Sequence, residues 1–237
     1  MNLTNAEIKN LKDKKYRKQN GLILVEGEKF CRDILLSGAE IVCTITTNSN
    51  LKNFPNITIV TDKVLNSIAT TKTPQNTICV CKPKQYEIAS RSNSLILDNL
   101  QDPGNVGTLI RSAIAFGFED IYLLGGADPY SEKVIRSSAG LVLSARVHVV
   151  DFETLQKNKD KIAKNFVTAD MFGANLSQIR LPKSRFAVII GNEGNGVSTE
   201  LMAISNFKVA IPMSPKVESL NAGVAGSIIM QKLSELN

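Results

Sequence analysis

The stretch SLILDNLQDPGNVGTLIRSA, residues 94–113, decides how the rest of the chain is read. Ser94–Asp98 is an apolar run that predicts a buried strand, and VGTLIRSAIAFG (residues 106–117) has helical spacing. Between them Asp102-Pro103-Gly104 forces a tight turn. Asn105 is placed to cap the helix, and Gly107 keeps its first turn thin enough for another backbone or a ligand to approach. Arg111 follows on the helix with a guanidinium that can grip a phosphate through two parallel hydrogen bonds. A polar, turn-rich loop at the carboxyl end of a buried strand is where open α/β sheets hold their ligands.

Downstream the same unit recurs. Apolar strands are predicted over residues 120–126, 145–150, 166–171, 186–192 and 207–213, and helices over 131–140, 151–165, 198–206 and 221–236. Alternating strands and helices predict a parallel sheet covered on both faces. Upstream the pattern gives one helix over residues 5–20, then strands and short helices up to the strand NTICVCKP, a small α/β unit. The polar, aperiodic run Lys82–Ser94 reads as a linker, which divides the chain into residues 1–88 and 89–237.

The 237 residues carry 28 Lys and Arg against 22 Asp and Glu. The first 90 hold 13 of those cations and 8 of the acids, so most of the excess is N-terminal. Its densest part is KDKKYRK, Lys12–Lys18, and a basic cluster with an aromatic side chain fits a phosphate backbone. No apolar run reaches the ~20 residues of a membrane span, and the first residues lack the apolar core of a signal peptide, so a soluble cytoplasmic protein is expected. Cys31, Cys43, Cys79 and Cys81 lack metal-site spacing and read as reduced thiols; the one histidine, His148, lies in an apolar strand and reads as a core or edge residue. No metal is expected.

Two further loops carry candidate chemistry. In FAVIIGNEGNGVS (residues 186–198), glycines 191, 194 and 196 follow a buried strand with Glu193 among them. This is neither the dinucleotide fingerprint nor a phosphate-binding P-loop, but it exposes backbone groups able to hold an adenine edge or a carboxylate. In the third loop, Ile211-Pro212-Met213 ends a strand and Ser219-Leu220-Asn221 precedes a helix rich in Ala and Gly.

Taken together, these loops resemble the three signature motifs of the SpoU (TrmH) family of RNA ribose 2′-O-methyltransferases, within the SPOUT superfamily. Asn105, Gly107 and Arg111 match the first motif; Gly191, Glu193 and Gly196 the second; Ile211 through Ala225 the third. The resemblance covers roughly residues 92–237, and KYRKQNGLILVEGEKFCRDIL more loosely resembles the opening of the small substrate-binding domain that many members carry. One departure stands out: Ala222-Gly223 replaces the Val-Ser that many members have after the third-motif Asn.

The resemblance implies a parallel-sheet C-terminal domain tied in a deep trefoil knot and preceded by a small α/β substrate-binding domain. It implies a homodimer that binds S-adenosylmethionine and methylates a ribose 2′-hydroxyl in structured RNA. The N-terminal extension favours 23S ribosomal RNA; tRNA, or a catalytically silent RNA-binding member, are the alternatives. Carried over by position, Gly191, Gly196, Ile211, Pro212, Met213, Leu220 and Asn221 would hold the cofactor. Arg111, Asn105, Glu193, Ser219 and Asn221 would serve the reaction. Lys12, Lys14, Lys15, Arg17, Lys18, Arg111, Arg136 and Ser138 would meet the RNA.

Overall fold

The strands sort into two sheets. The computed structural model describes residues 3–89 and 91–236; Ser90, inside the expected linker, and the terminal residues Met1, Asn2 and Asn237 of the two expected units lie outside the described residues. The first sheet contains β1 (Ile23–Glu26), β2 (Glu40–Thr46), β3 (Ile57–Ile59) and β4 (Thr77–Lys82) in the order β1-β4-β2-β3. Strand β4 runs antiparallel to both β1 and β2, and β3 lies parallel to β2. Around it lie α1 (Asn5–Asn10), α2 (Lys14–Asn20), α3 (Glu28–Leu36) and α4 (Asp62–Ile68).

The single helix expected over residues 5–20 is two. Asp13 accepts a hydrogen bond from Tyr16 N at 2.9 Å and so caps a new helix where the first would have continued. The break also turns Leu11 into the core, where it is 1% exposed.

The second sheet contains β5 (Asn93–Asp98), β6 (Phe118–Leu124), β7 (Arg146–Val149), β8 (Asn165–Asn175), β9 (Phe186–Ile190) and β10 (Phe207–Ala210). Its order is β10-β8-β9-β5-β6-β7, and every neighbouring pair is parallel. The connecting helices are α5 (Pro103–Ala115), α6 (Glu132–Ser137), α7 (Phe152–Lys157), α8 (Lys159–Ile162), α9 (Thr199–Ile204) and α10 (Ala222–Ser234). The helix expected over 151–165 breaks at Asn158, and Ile211-Pro212-Met213 leaves the sheet rather than ending a strand.

Strand alternation explains why both faces are covered. Leu95, Leu97, Phe186, Val188 and Ile190 point to one side and pack with residues of α5, α6 and α10. Ile96, Ala187 and Ile189 point to the other and meet Leu155, Ile162 and Leu201 of α7, α8 and α9. The first of these layers does not stop at the second sheet. Ile23, Val25, Cys31, Ile34, Cys79 and Cys81 of the N-terminal unit belong to the same apolar cluster. The three cysteines are free thiols buried in that shared layer. At Gly140 (φ +86°) a Cβ would sit 2.7 Å from the Phe30 ring, so the bare backbone lets the N-terminal unit close on the turn after α6.

At the amino ends of β6 and β7, Asp120 is 1% exposed and is held by Arg146, whose Nε and Nη2 donate at 2.8 Å each. Ser92 Oγ lies 3.0 Å away, and His148 Nε2, 3.4 Å away, belongs to a ring stacked on Tyr122 at 4.6 Å. His148 is thus a buried core residue, held between Asp120 and the Tyr122 ring. Burial pushes the Asp120 pKa up, but the hydrogen bonds from Arg146 and His148 outweigh it and bring it down to about 2.

Because this carboxyl holds its proton less tightly folded than unfolded, its contribution to stability is present above about pH 4 and is lost as pH falls toward 2. Asp120→Asn is expected to cost on the order of 3 kcal/mol at neutral pH by removing the buried charge that faces Arg146, which keeps only its outer pair with Glu119 and its bond to Ser92. It should also flatten the acid limb of stability in that window, as read by urea unfolding at a series of pH values.

Candidate active site

Helix α5 begins three residues earlier than its apolar pattern suggests. Asp102 is the cap, its Oδ1 accepting from Gly104 N at 2.7 Å, and Pro103 takes the first helical position. Asn105 is therefore not the cap. It lies inside the first turn, buried, and its side chain is free for another task.

That task joins the three loops. Asn221 Nδ2 donates to Asn105 Oδ1 at 2.8 Å, and Asn105 Nδ2 donates to Glu193 Oε1 at 3.1 Å. The Glu193 carboxylate also accepts from the backbone N–H groups of Gln101 and Asp102, each at 3.2 Å. Asn221 uses its own Oδ1 to cap α10 through Val224 N at 3.3 Å. Burial raises the Glu193 pKa, but the bonds from Asn105, Gln101 and Asp102 prevail and hold it below the usual carboxylate value. Glu193 thus ties its own loop to the loop after β5.

Close packing makes these bonds possible. A Cβ on Gly107 would fall 1.9 Å from Ser137 Oγ, so that glycine admits α6 against α5. A Cβ on Gly223 would come within 3.1 Å of Asn221 Oδ1 and 3.4 Å of Asn105 Oδ1, so a glycine here gives the paired amides room. In the middle loop, Asn192 and Gly196 form a closed bridge, and a Cβ on Gly191 would lie 2.2 Å from Gly196 C.

A cavity of about 220 Å³ opens beside this junction, between the ends of β8, β9 and β10 and helix α10. Gly191, Gly196, Ile211, Met213, Ser219 and Leu220 line it, as the motifs suggest; Pro212, Asn221, Asn105 and Glu193 stand at its edge rather than in its lining. Ala169, Asp170 and Met171 also line it and were not legible as site residues. They reach it because the pairing of β8 with β10 jumps from Thr168 to Ala174 between Lys208 and Val209. The available signal was Gly173, where a Cβ would strike the Lys208 backbone at 2.5 Å.

Arg111 is exposed on α5, and its guanidinium makes no hydrogen bond or ion pair among the described residues. Other expected RNA contacts fare differently. Ser138 is fully buried, donating to Ile135 O and accepting from Val142 N, and cannot meet RNA. The Arg17 guanidinium is also withdrawn: it pairs with Asp128 at 2.5 Å and donates to the carbonyls of Leu11 and Lys12. Lys14 Nζ donates to Gly126 O at 2.8 Å. Both hold the N-terminal unit against the loop after β6. Lys12, Lys15 and Lys18 are exposed, and Arg136 is exposed with Glu132 3.2 Å away. Among the described residues there is no group of three or more His, Cys, Asp or Glu side chains able to hold a metal ion, and no helix long and apolar enough to cross a membrane.

With this geometry, comparison with known proteins is informative. A family model described as SpoU rRNA Methylase matches residues 92–231, and one described as MRM3-like substrate binding domain matches residues 5–79. The chain is 32% identical to the 23S rRNA (guanosine(2553)-2′-O)-methyltransferase RlmP of Bacillus subtilis over 95% of its length and 93% of that protein's. The AdoMet-bound rRNA methyltransferase from Sinorhizobium meliloti superposes with a TM-score of 0.87 at 23% identity, covering 98% of this chain and 94% of that one. The SpoU methyltransferase AviRb from Streptomyces viridochromogenes, in complex with AdoMet, gives 0.86 at 21% identity, covering 99% and 98%.

The hydrogen-bond relay can be tested before any activity is measured. Asn105→Asp would set two carboxylates about 3.1 Å apart. It is expected to destabilise the fold more than Asn105→Ala at pH 7, and to recover as the pH is lowered and one of the pair takes a proton. A double-mutant cycle of Asn105→Ala with Asn221→Ala should give a coupling of about 1 kcal/mol in denaturant unfolding.

Proposed function

The chain belongs to the SpoU rRNA methylase family, and from that premise we propose that it transfers a methyl group from S-adenosylmethionine to a ribose 2′-hydroxyl of structured RNA. 23S ribosomal RNA is the first substrate to test and tRNA the second. The observation that carries this reading is the Asn221–Asn105–Glu193 relay, which gathers all three motifs at the edge of one cleft.

The cleft suits the cofactor. Ile190, Val209, Met213 and Ile229 give it apolar walls, while Asp170, Asn192 and Ser219 add a few polar groups. Among the described residues the backbone groups of Leu220 take no hydrogen bond, which leaves them for a purine edge. Bound there, the cofactor would supply a methyl group on a cationic sulfur to the ribose 2′-oxygen, with the hydroxyl proton passing to solvent water. Gly191, Gly196, Ile211 and Leu220 would hold it, with Pro212, Met213 and Asn221 at its rim.

The protein's part is positioning and charge. Ser219 and Asn221 orient the ribose and cofactor, with Asn105 and Glu193 fixing the loop that carries them. A guanidinium has a pKa above 12 and rarely gives up its proton. Arg111 therefore binds the phosphate beside the target ribose and stabilises the developing alkoxide, rather than acting as the base.

The finer architecture follows the same reading. Helix α10 is pressed between α5 and β9, where a Cβ on Gly226 would meet Leu109 at 2.3 Å and Ile190 at 3.1 Å. On the family premise the chain is threaded as a deep trefoil knot. Val224 and Ile228, 46% and 39% exposed on α10, support a homodimer joined near the cleft. Residues 1–88 act as the RNA-binding unit and 89–237 as the catalytic one, working in the cytoplasm.

The test is incubation with methyl-labelled S-adenosylmethionine and, separately, ribosomal RNA and tRNA lacking the modification. Label should enter the ribose of one pool and vanish with Arg111→Ala. Gly191→Ala should weaken cofactor binding at least tenfold by calorimetry, since its new Cβ opens the loop. For Arg111→Lys, a flat pH–rate profile fits the electrostatic role, and a steep rise with pH overturns it in favour of a base. Label in neither pool overturns the enzymatic reading and leaves a binding protein.

A further inference from the structure

A second and larger cavity, about 660 Å³, lies where the N-terminal unit meets the carboxyl ends of β6 and β7. Its floor is apolar, with Leu22, Ile23, Leu123 and Val150, and the Tyr130 ring and Pro83 close its sides. Val149 lines it at 63% exposure, an apolar side chain left open to water. Lys14 and Lys18 stand among its lining, with Gln85 as a neutral polar group. Its two acids are engaged: Asp128 pairs with Arg17, and Asp151 caps α7 through Thr154 N at 2.8 Å. Lys18 has no such partner among the described residues.

The position of this cavity gives it meaning. It opens at the same end of the parallel strands as the cleft between β8, β9 and β10. In the order β10-β8-β9-β5-β6-β7 the two are about three strands apart, roughly 15 Å at ~4.8 Å per strand. Between them runs the loop after β5, which leads into the first turn of α5 and Asn105. That loop is joined to the cavity wall directly: Asn99 N donates to Leu124 O, and Ala127 N donates to Leu100 O at 2.7 Å. A Cβ on Gly126 would fall 2.2 Å from Leu100 O.

We infer that this cavity receives one unstacked nucleotide of the substrate RNA, two or three positions along the strand from the methylated one, with its base on the Val149–Tyr130 side and a phosphate at Lys18. An apolar, partly aromatic slot with a cation at its rim is the chemistry that holds a splayed-out base and its phosphate. The separation from the transfer cleft assigns it a different nucleotide from the one that reacts. It would then read sequence or shape beside the target, and it requires both units of the chain. The inference rests on the RNA methyltransferase reading above.

Val149→Trp fills the cavity mouth from an exposed position, and Lys18→Glu reverses the rim charge. In methyl-transfer kinetics on the RNA pool that the unaltered protein labels, each should raise KM for RNA at least tenfold. The rate at saturating RNA should stay within about twofold, and cofactor affinity should be unchanged. Lys18→Glu should also lower the slope of log affinity against log salt by about one. Arg111→Ala, in contrast, should lose the rate itself. If the unaltered protein methylates RNA while both variants keep its KM within twofold, this inference is overturned alone. If the unaltered protein methylates no RNA, the functional reading falls and takes this inference with it.

Discussion

Two amides and a carboxylate hold the candidate site together. Asn221, Asn105 and Glu193 come from loops that are far apart in the chain, and each bond between them is long-range. Amide side chains suit this place because each can donate with one atom and accept with the other, so a relay forms without burying a net charge. The one charge in it, on Glu193, is met by two backbone N–H groups as well as by Asn105. Glycines at 107 and 191 are required because α6 and the turn at Gly196 occupy the space of a side chain, and at Gly223 a Cβ would crowd the paired amides. Loosening any of them would separate the loops that shape the cleft.

The N-terminal unit is not merely tethered. It contributes buried residues to the layer that covers one face of the six-stranded sheet. Arg17 and Lys14 then fasten its second helix to the loop after β6. A run of cations that reads as one RNA-binding patch thus divides by function. Part of it fixes the orientation of the two units, and the rest, at Lys12, Lys15 and Lys18, remains at the surface. Burial decides the division: a guanidinium with several well-placed acceptors can be taken out of water, whereas a lone ammonium is more stable left in it.

Much of this was legible in the sequence. Apolar runs of strand length, alternating with helical spacing, determined the parallel sheet, because strands buried on both faces must be apolar on both. The glycines, asparagines and Glu193 of the three loops marked the candidate site and the family to which the chain belongs. Local competition for backbone groups escapes periodicity: Asp13 caps a second helix where one would continue, Asn158 closes α7 by donating to Thr154 O, and Asp102 rather than Asn105 caps α5. Each side chain was visible; which backbone group it would serve was not.

Only the tertiary structure decided which polar residues face solvent and which serve the fold. Ser138 and Arg17 have surface-like chemistry, but packing buries one and pairs the other with Asp128. The bulge of β8 that brings Ala169–Met171 into the cleft depends on its register with β10. No local pattern encodes that register, because it is set by contacts between segments distant in the chain. Residue type and spacing fixed the kind of sheet and the position of the loops along the chain; their joining through Asn105 depended on backbone approaches that exist only once helices and strands have packed.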